Sequence, residues 1–184
     1  MRTWFQRSAL PLLLLATVAA GAGPASAATV CASTDGPTAQ TSTVALGNAA
    51  LCLVNQERTS RDLQPLQPNR RLARAAVGHA RDMVAKGYFS HDSADGRSFV
   101  DRIRNSGYTV PRAFPSLGED LAWGSGTLGT PRQIVESWME SPGHRANILN
   151  RKFRQAGLGV AFGDPGAGMD GVTYALDFGS AGRS

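Results

Sequence analysis

Hydrophobic and polar positions divide the chain into three unlike stretches. At the start, Arg2 and Arg7 precede an apolar core from Ala9 to Ala22, and Ala25-Ser26-Ala27 follows as a small-x-small triplet. Basic, then apolar, then small is the order of a cleaved export leader, so residues 1–27 are expected to be a signal peptide. The apolar core is shorter than the ~20 residues a helix needs to cross a bilayer, and no later stretch approaches that length. Residues 28–42, rich in Ala, Thr, Ser and Gly, are expected to form a flexible N-terminal arm, with one domain over 43–184.

The middle stretch has helical spacing. Ala50, Leu51 and Val54 predict a helix from Val44 to about Arg58, and Leu63-Gln64-Pro65-Leu66 then breaks the pattern as an extended connection. A second helix is expected to open at Asn69 after Pro68, to carry Leu72, Ala76, Ala80 and Met83 on one face, and to stop at Gly87. Ser98 to Asn105 reads as a short helix ended by Gly107. In Thr130-Pro131-Arg132-Gln133, Thr130 can cap, Pro131 suits the first turn and Gln133 would complete a capping box. Ile134, Val135 and Trp138 should then face the core.

In the last stretch the period changes. Gly157-Leu158-Gly159-Val160-Ala161-Phe162 and Val172-Thr173-Tyr174-Ala175-Leu176-Asp177-Phe178 predict two strands joined by a glycine-rich turn. Helices first and strands last, without regular alternation or internal repeat, predict an α+β layered domain.

Without residues 1–27 the 184-residue chain keeps 157, enough for one core that buries roughly two-thirds of the unfolded surface. The only cysteines, Cys31 and Cys52, are an even pair in an exported chain, which favours a bridge over two free thiols. Such a bridge would tie the arm to the first helix, with a stabilisation of about 3 kcal/mol. The formal charge of the whole chain is +5; removal of Arg2 and Arg7 leaves 17 basic against 14 acidic residues, or +3. Arg70-Arg71 with Arg74, and Arg151-Lys152 with Arg154, read as solvated faces, because no aromatic residues interleave to stack bases. No nucleic-acid partner and no transmembrane segment are expected, and the protein is expected to be a monomer.

Three glycine- or acid-rich segments imitate known sites and fail in context. Gly124-Ser125-Gly126-Thr127-Leu128-Gly129 matches a dinucleotide fingerprint, but the following helix should start at Thr130-Pro131 rather than among the glycines. Asp92-Ser93-Ala94-Asp95-Gly96 lacks an oxygen ligand at Ala94 and has Ile103 where a calcium loop needs glutamate. Gly166-Ala167-Gly168-Met169-Asp170 occurs once, whereas calcium-binding repeats need stacked neighbours. No Gly-x-Ser-x-Gly elbow is present.

The chain has three histidines. His79 falls on the buried face of the second helix and reads as a hydrogen-bonded core residue. His91, after Tyr88-Phe89-Ser90, and His144, in Ser141-Pro142-Gly143-His144, both stand where apolar segments meet polar turns. They are too far apart for a local metal motif, so only the fold can unite them.

Four ordered motifs are specific. Phe89-Ser90-His91, Gly118-Glu119-Asp120-Leu121-Ala122-Trp123-Gly124, the run from Glu136 to Leu149, and Gly157-Leu158-Gly159-Val160 resemble the bacterial branch of the CAP superfamily. That superfamily comprises the cysteine-rich secretory proteins, antigen 5 and the pathogenesis-related proteins, also described as SCP-like extracellular domains. The resemblance covers roughly Gly47 to Gly179. It implies a three-layer α-β-α sandwich with a central antiparallel sheet, and a cleft lined by two histidines and two acids.

Carried over by motif, the cleft residues are His91, His144 and Glu119. Two imidazoles facing a carboxylate suit zinc or another divalent cation. The second acid departs from the family pattern: many relatives place glutamate three residues after the helix tryptophan, where this chain has Ser141. Glu136 and Glu140 lie four apart, opposite Trp138, and are expected to face solvent, so Ser141 and Glu140 complete the cleft only as neighbours of that position. Asp120 replaces the asparagine usual after the cleft glutamate. The resemblance implies a secreted binding module for a divalent metal and for lipid, cell-wall or small-molecule ligands. The alternative is a metal-dependent peptidase or cell-wall hydrolase with Glu119 as general base. A hydrogen-bonded network that only orders the loops is a third reading of the same residues.

Overall fold

A computed structural model of the chain describes residues 31–32, 34–35, 41–110, 116–166 and 170–180. The expected leader, residues 1–27, lies outside the described residues, as do residues 167–169 of the glycine-rich turn. The elements run α1 (Thr43–Thr59), β1 (Gln67–Pro68), α2 (Arg70–Lys86), α3 (Phe99–Asn105), β2 (Leu117–Ser125), α4 (Pro131–Glu140), α5 (Pro142–Ile148), β3 (Gln155–Phe162) and β4 (Gly171–Gly179).

Local chemistry sets the helix limits. The Asn69 side chain accepts from the backbone N–H groups of Arg71 and Leu72, satisfying two orphan donors at the start of α2. Gly87 ends that helix in the left-handed region at φ 66°, where a side chain would be strained. Thr130 caps α4 through the Gln133 N–H, as predicted, but Gln133 does not return the bond. Its amide instead donates to Glu136. The reciprocal capping box is at α3, between Ser98 and Asp101.

The sheet has the order β1-β3-β4-β2. β2, β4 and β3 are antiparallel, and two-residue β1 adds in parallel beside β3. All nine residues of β4 are buried, which is the burial pattern of a strand covered on both faces. Val172, Tyr174, Leu176 and Phe178 pack with Leu46, Val54, Ile134, Trp138 and Ile148 from α1, α4 and α5. On the other face, Ala175 meets Ala76, Ala80 and Met83 of α2. Helices therefore cover both sides of a mainly antiparallel sheet, the three-layer sandwich. Each fully buried Leu, Ile or Phe of these layers contributes about 1.5–3 kcal/mol of transfer free energy.

Two glycines let α2 approach β3. A Cβ at Gly157 would fall onto the backbone of Ala73, and one at Gly159 onto that of Ala76 and Val77. The Gly157-Leu158-Gly159-Val160 motif is thus a packing surface for a helix. On the opposite side, buried Arg58 from α1 donates to the carbonyls of Gln64, Ile148, Asn150 and Phe153. This ties the end of α1 to the chain leaving α5 and fixes where α5 lies.

The bridge between Cys31 and Cys52 is formed, with Cα atoms 5.7 Å apart. Arg132 adds a second anchor for the arm through Asp35 and the Thr34 carbonyl. Three elements were not predicted from the sequence: the two-residue β1; β2, which falls between helices and breaks the helices-then-strands order; and α5.

Candidate functional site

Strand β2 is an edge of the sheet, paired with β4 along one side only. Its outward carbonyls are met by side chains: Trp138 Nε1–H donates to Leu121 at 3.1 Å, and Asn147 Nδ2–H to Glu119 at 3.5 Å. This edge runs between α2 and α3 on one face and α4 and α5 on the other. Alternation along β2 therefore sends Glu119 toward α3 and Asp120 toward α5. His91 follows α2 in the turn after Gly87, and His144 sits in the first turn of α5.

Glu119 is buried at 4 % exposure and engaged by two partners. His91 Nδ1 lies 2.9 Å from Oε1, and Arg102 Nη2 donates to Oε2 at 2.6 Å. With Nδ1–H donating, a neutral His91 keeps its lone pair on Nε2. The bond to Glu119 raises the pKa of His91, against burial, which lowers it. His144 is held below its ordinary value by burial and then by the charge of nearby His91. The two rings, 53 positions apart in the chain by their numbers, thus lie within electrostatic reach of each other. Sequence distance said nothing of this.

Two further acids crowd Glu119. Asp120 is fully buried, accepts from Asn147 Nδ2 at 2.7 Å through Oδ1, and leaves Oδ2 unpartnered. Burial pushes its pKa up to about 7. Asp177 stands directly across from Glu119 in the β2–β4 register. Burial, followed by the charge of Glu119, raises it well above the carboxylate range. One guanidinium, Arg102, serves this pair, and a protonated Asp177 avoids a second buried negative charge.

Of the other expected cleft residues, Ser141 is the N-cap residue of α5 and offers its carbonyl to the Arg145 N–H. Glu140 and Glu136 are both exposed on α4. His79 is the buried histidine it was expected to be, its Nε2 2.8 Å from the Ser90 carbonyl. Sequence reasoning missed Arg102, Asn147 and Asp177. For Asp177 a signal existed, a single acid inside a continuous apolar run. For Arg102 there was none, since its partner lies in a different element.

Glu119 has both oxygens committed, and among the described residues no three His, Cys, Asp or Glu side chains converge closely enough to hold a metal ion. His91 Nε2 and the ring of His144 lie outside the Glu119 bonds and are the nitrogen donors of the cleft. With both rings deprotonated, the cleft could present two nitrogen ligands, one oriented from behind by a carboxylate. A separate groove of about 340 Å³ lies between α1 and α2 along β3. Val44, Gly47, Leu51, Val77 and Leu158 make its apolar wall, with Arg70 and Arg81 beside them. Among the described residues no helix is long and apolar enough to cross a membrane.

A family model described as CAP, the cysteine-rich secretory protein family, matches residues 51–178. The chain is 37 % identical over 107 residues to the uncharacterized protein YkwD of Bacillus subtilis, and 34 % over 110 residues to the uncharacterized membrane protein YlbC of the same organism. These matches take in 58 % and 60 % of this chain but only 39 % and 30 % of the two relatives, so the chain spans well under half their length. Among solved structures it is similar to an extracellular protein containing an SCP domain from Bacillus anthracis. There the TM-score is 0.61 and the identity 25 %, over 77 % of this chain and 44 % of that one.

Proposed function

Because the chain belongs to the cysteine-rich secretory protein (CAP) family, we propose that it works outside the cell as a non-catalytic binding module. In this reading the edge of β2 holds a divalent cation, zinc foremost, on the imidazoles of His91 and His144. The observation that carries it is the 2.9 Å bond from His91 Nδ1 to Glu119. A carboxylate behind a histidine fixes the tautomer and makes the other ring nitrogen the ligand, the usual outer support of a metal-binding imidazole. The lowered pKa of His144 keeps that ring neutral and able to ligate. Glu119 then acts as support rather than as a direct ligand, because Arg102 and His91 occupy its oxygens. A bound cation would supply an electrophilic anchor for an oxygen of the ligand.

The same reading gives the α1–α2 groove to the acyl chain of a lipid, since its wall is apolar and Arg70 and Arg81 can meet an anionic head group. The extracellular placement is supported by the leader pattern, by the disulfide, and by similarity to an extracellular SCP-domain protein. The hydrolytic alternative requires Glu119 as a general base. Its carboxylate is already paired with a guanidinium at 2.6 Å, so no observation favours that reading.

Calorimetric titration of the mature protein with zinc tests the proposal. Binding is expected to be lost in His91→Ala and in His144→Ala, and to weaken by about 10- to 100-fold in Glu119→Gln. Unchanged affinity in the double histidine variant would refute it.

A further inference from the structure

Three basic segments that are far apart in the chain share one end of the sandwich. Arg70, Arg71 and Arg74 open α2, Arg104 lies in the last turn of α3, and Arg151, Lys152 and Arg154 lead into β3; all seven are exposed. Gln155 marks where the segments converge. Its Oε1 accepts from Asn69 Nδ2 ahead of α2 at 3.1 Å and from the Tyr108 hydroxyl after α3 at 3.0 Å. Beside it the Gln67 N–H donates to the Arg154 carbonyl. Arg74 Nη1 reaches the Ser106 carbonyl at 3.3 Å, and Arg71 Nε would lie 3.8 Å from a Cβ on Gly107, so the start of α2 also touches the end of α3.

The charge gathered here is not balanced locally. Among the described residues none of the seven cations forms an ion pair. The carboxylates on adjoining turns are Asp62 and Asp101, the second held in its capping box with Ser98, while Glu57 is paired with Arg61. Seven cations against two acids exceed the +3 of the whole chain without residues 1–27, so the remaining residues together are net negative. Folding does not account for this placement. Arg70 and Arg71 stand in the first turn of α2, where the helix dipole is already positive and no acid is present. Like charges set against a dipole work against stability, and an anionic partner offsets them.

The character of the surface narrows the partner. The exposed large apolar side chains are Val44, Phe89, Trp123, Leu128 and Phe162, none of them in these three segments. The surface therefore offers charge without rings for stacking on bases and without apolar wedges for insertion. The α1–α2 groove has Pro68, Asn69 and Arg70 at one end of its wall, so it opens beside this surface. We infer that this end of the molecule docks on an anionic phospholipid surface, with the groove end at Arg70 turned to the head groups. Docking is peripheral and reversible, carried by Coulomb attraction that salt screens. The choice of a bilayer over a soluble polyanion rests on the lipid reading of the groove; the metal cleft plays no part in it.

Co-sedimentation of the full mature protein with vesicles tests the inference. Vesicles of phosphatidylcholine mixed with phosphatidylglycerol should carry the protein down, vesicles of phosphatidylcholine alone should not, and ~0.5 M salt should release it. Arg71→Gln, Arg104→Gln and Arg151→Gln each remove one charge from a different segment. Each should weaken vesicle binding about fivefold, and the three together about 100-fold, with the urea midpoint unchanged. Lys86→Gln, at the far end of α2, removes the same charge and should leave vesicle binding as it was. Fatty-acid uptake measured without vesicles separates the two readings. Uptake without vesicle binding would sink the docking alone; vesicle binding without uptake would support the docking and remove the lipid from the groove. Equal binding to neutral vesicles, variants no weaker than Lys86→Gln, or tighter binding of soluble polyphosphate than of the mixed vesicles at equal phosphate would overturn it.

Discussion

Asp120→Asn should make this protein more stable, and more so as the pH rises. The Asp120 carboxyl is fully buried, with one oxygen bonded to Asn147 and the other unpartnered. Removal from water raises its pKa from 3.8 to about 7. An acid whose folded pKa is raised binds its proton more tightly when folded than when unfolded. It therefore costs nothing below its unfolded pKa, and its cost grows as the pH climbs through the interval between the two values. Once the folded pKa is passed the cost is constant, and the rise from 3.8 to about 7 corresponds to about 4 kcal/mol. Asparagine keeps the acceptor oxygen for Asn147 and cannot ionise. Urea unfolding of both proteins at a series of pH values reads the difference directly through the transition midpoints. The two should be nearly equal at ~pH 4, and the gap should widen to about 4 kcal/mol by ~pH 8, with the variant more stable. A gap that does not depend on pH, or a variant less stable at high pH, would refute the argument. Groups that titrate equally in both proteins cancel.

Two further outcomes follow from other parts of the same architecture. In Glu119→Gln, the pKa of His91 should fall, because the bond to Glu119 is what raises it; NMR titration of the His91 ring reads this, and an unmoved pKa would contradict the pairing. The sign for stability is the usual one for a raised histidine: the contribution is complete below the unfolded value of 6.5 and is lost as the pH rises through the folded one. Gly159→Ala should cost about 3 kcal/mol by thermal or urea unfolding, since its methyl group would meet the backbone of α2 with no side chain to give way. A cost within about 0.5 kcal/mol would mean that α2 does not lie so close to β3.

What could be read from the chain alone was what local rules control. α1, α2, α3, α4, β3 and β4 were each legible because caps, Pro131, Gly87 and apolar spacing act over a few residues. α5 hid because seven residues are too few for a period, although Ser141-Pro142 repeats the cap-then-proline start that announced α4. The resemblance then supplied His91, His144 and Glu119 as a group.

Strand β2 hid for a reason that also explains the site. A strand half-exposed to water alternates apolar and polar residues, and one covered on both faces is apolar throughout. Leu117–Ser125 is neither, because Gly118, Glu119, Asp120 and Leu121 are all buried in succession. Covering both faces of an edge strand drives two adjacent acids into opposite layers, where each must find a separate means of neutralisation. Glu119 has Arg102 from α3 and His91 from the turn after α2. Asp120 has only a neutral amide from α5, which is why its pKa moves toward neutrality. The breach of the strand pattern and the concentration of charge are thus one fact. A consecutive Glu-Asp pair inside an otherwise apolar segment was the visible trace of it, and the burial of both carboxylates could be known only once α2, α3 and α5 were placed on the two sides.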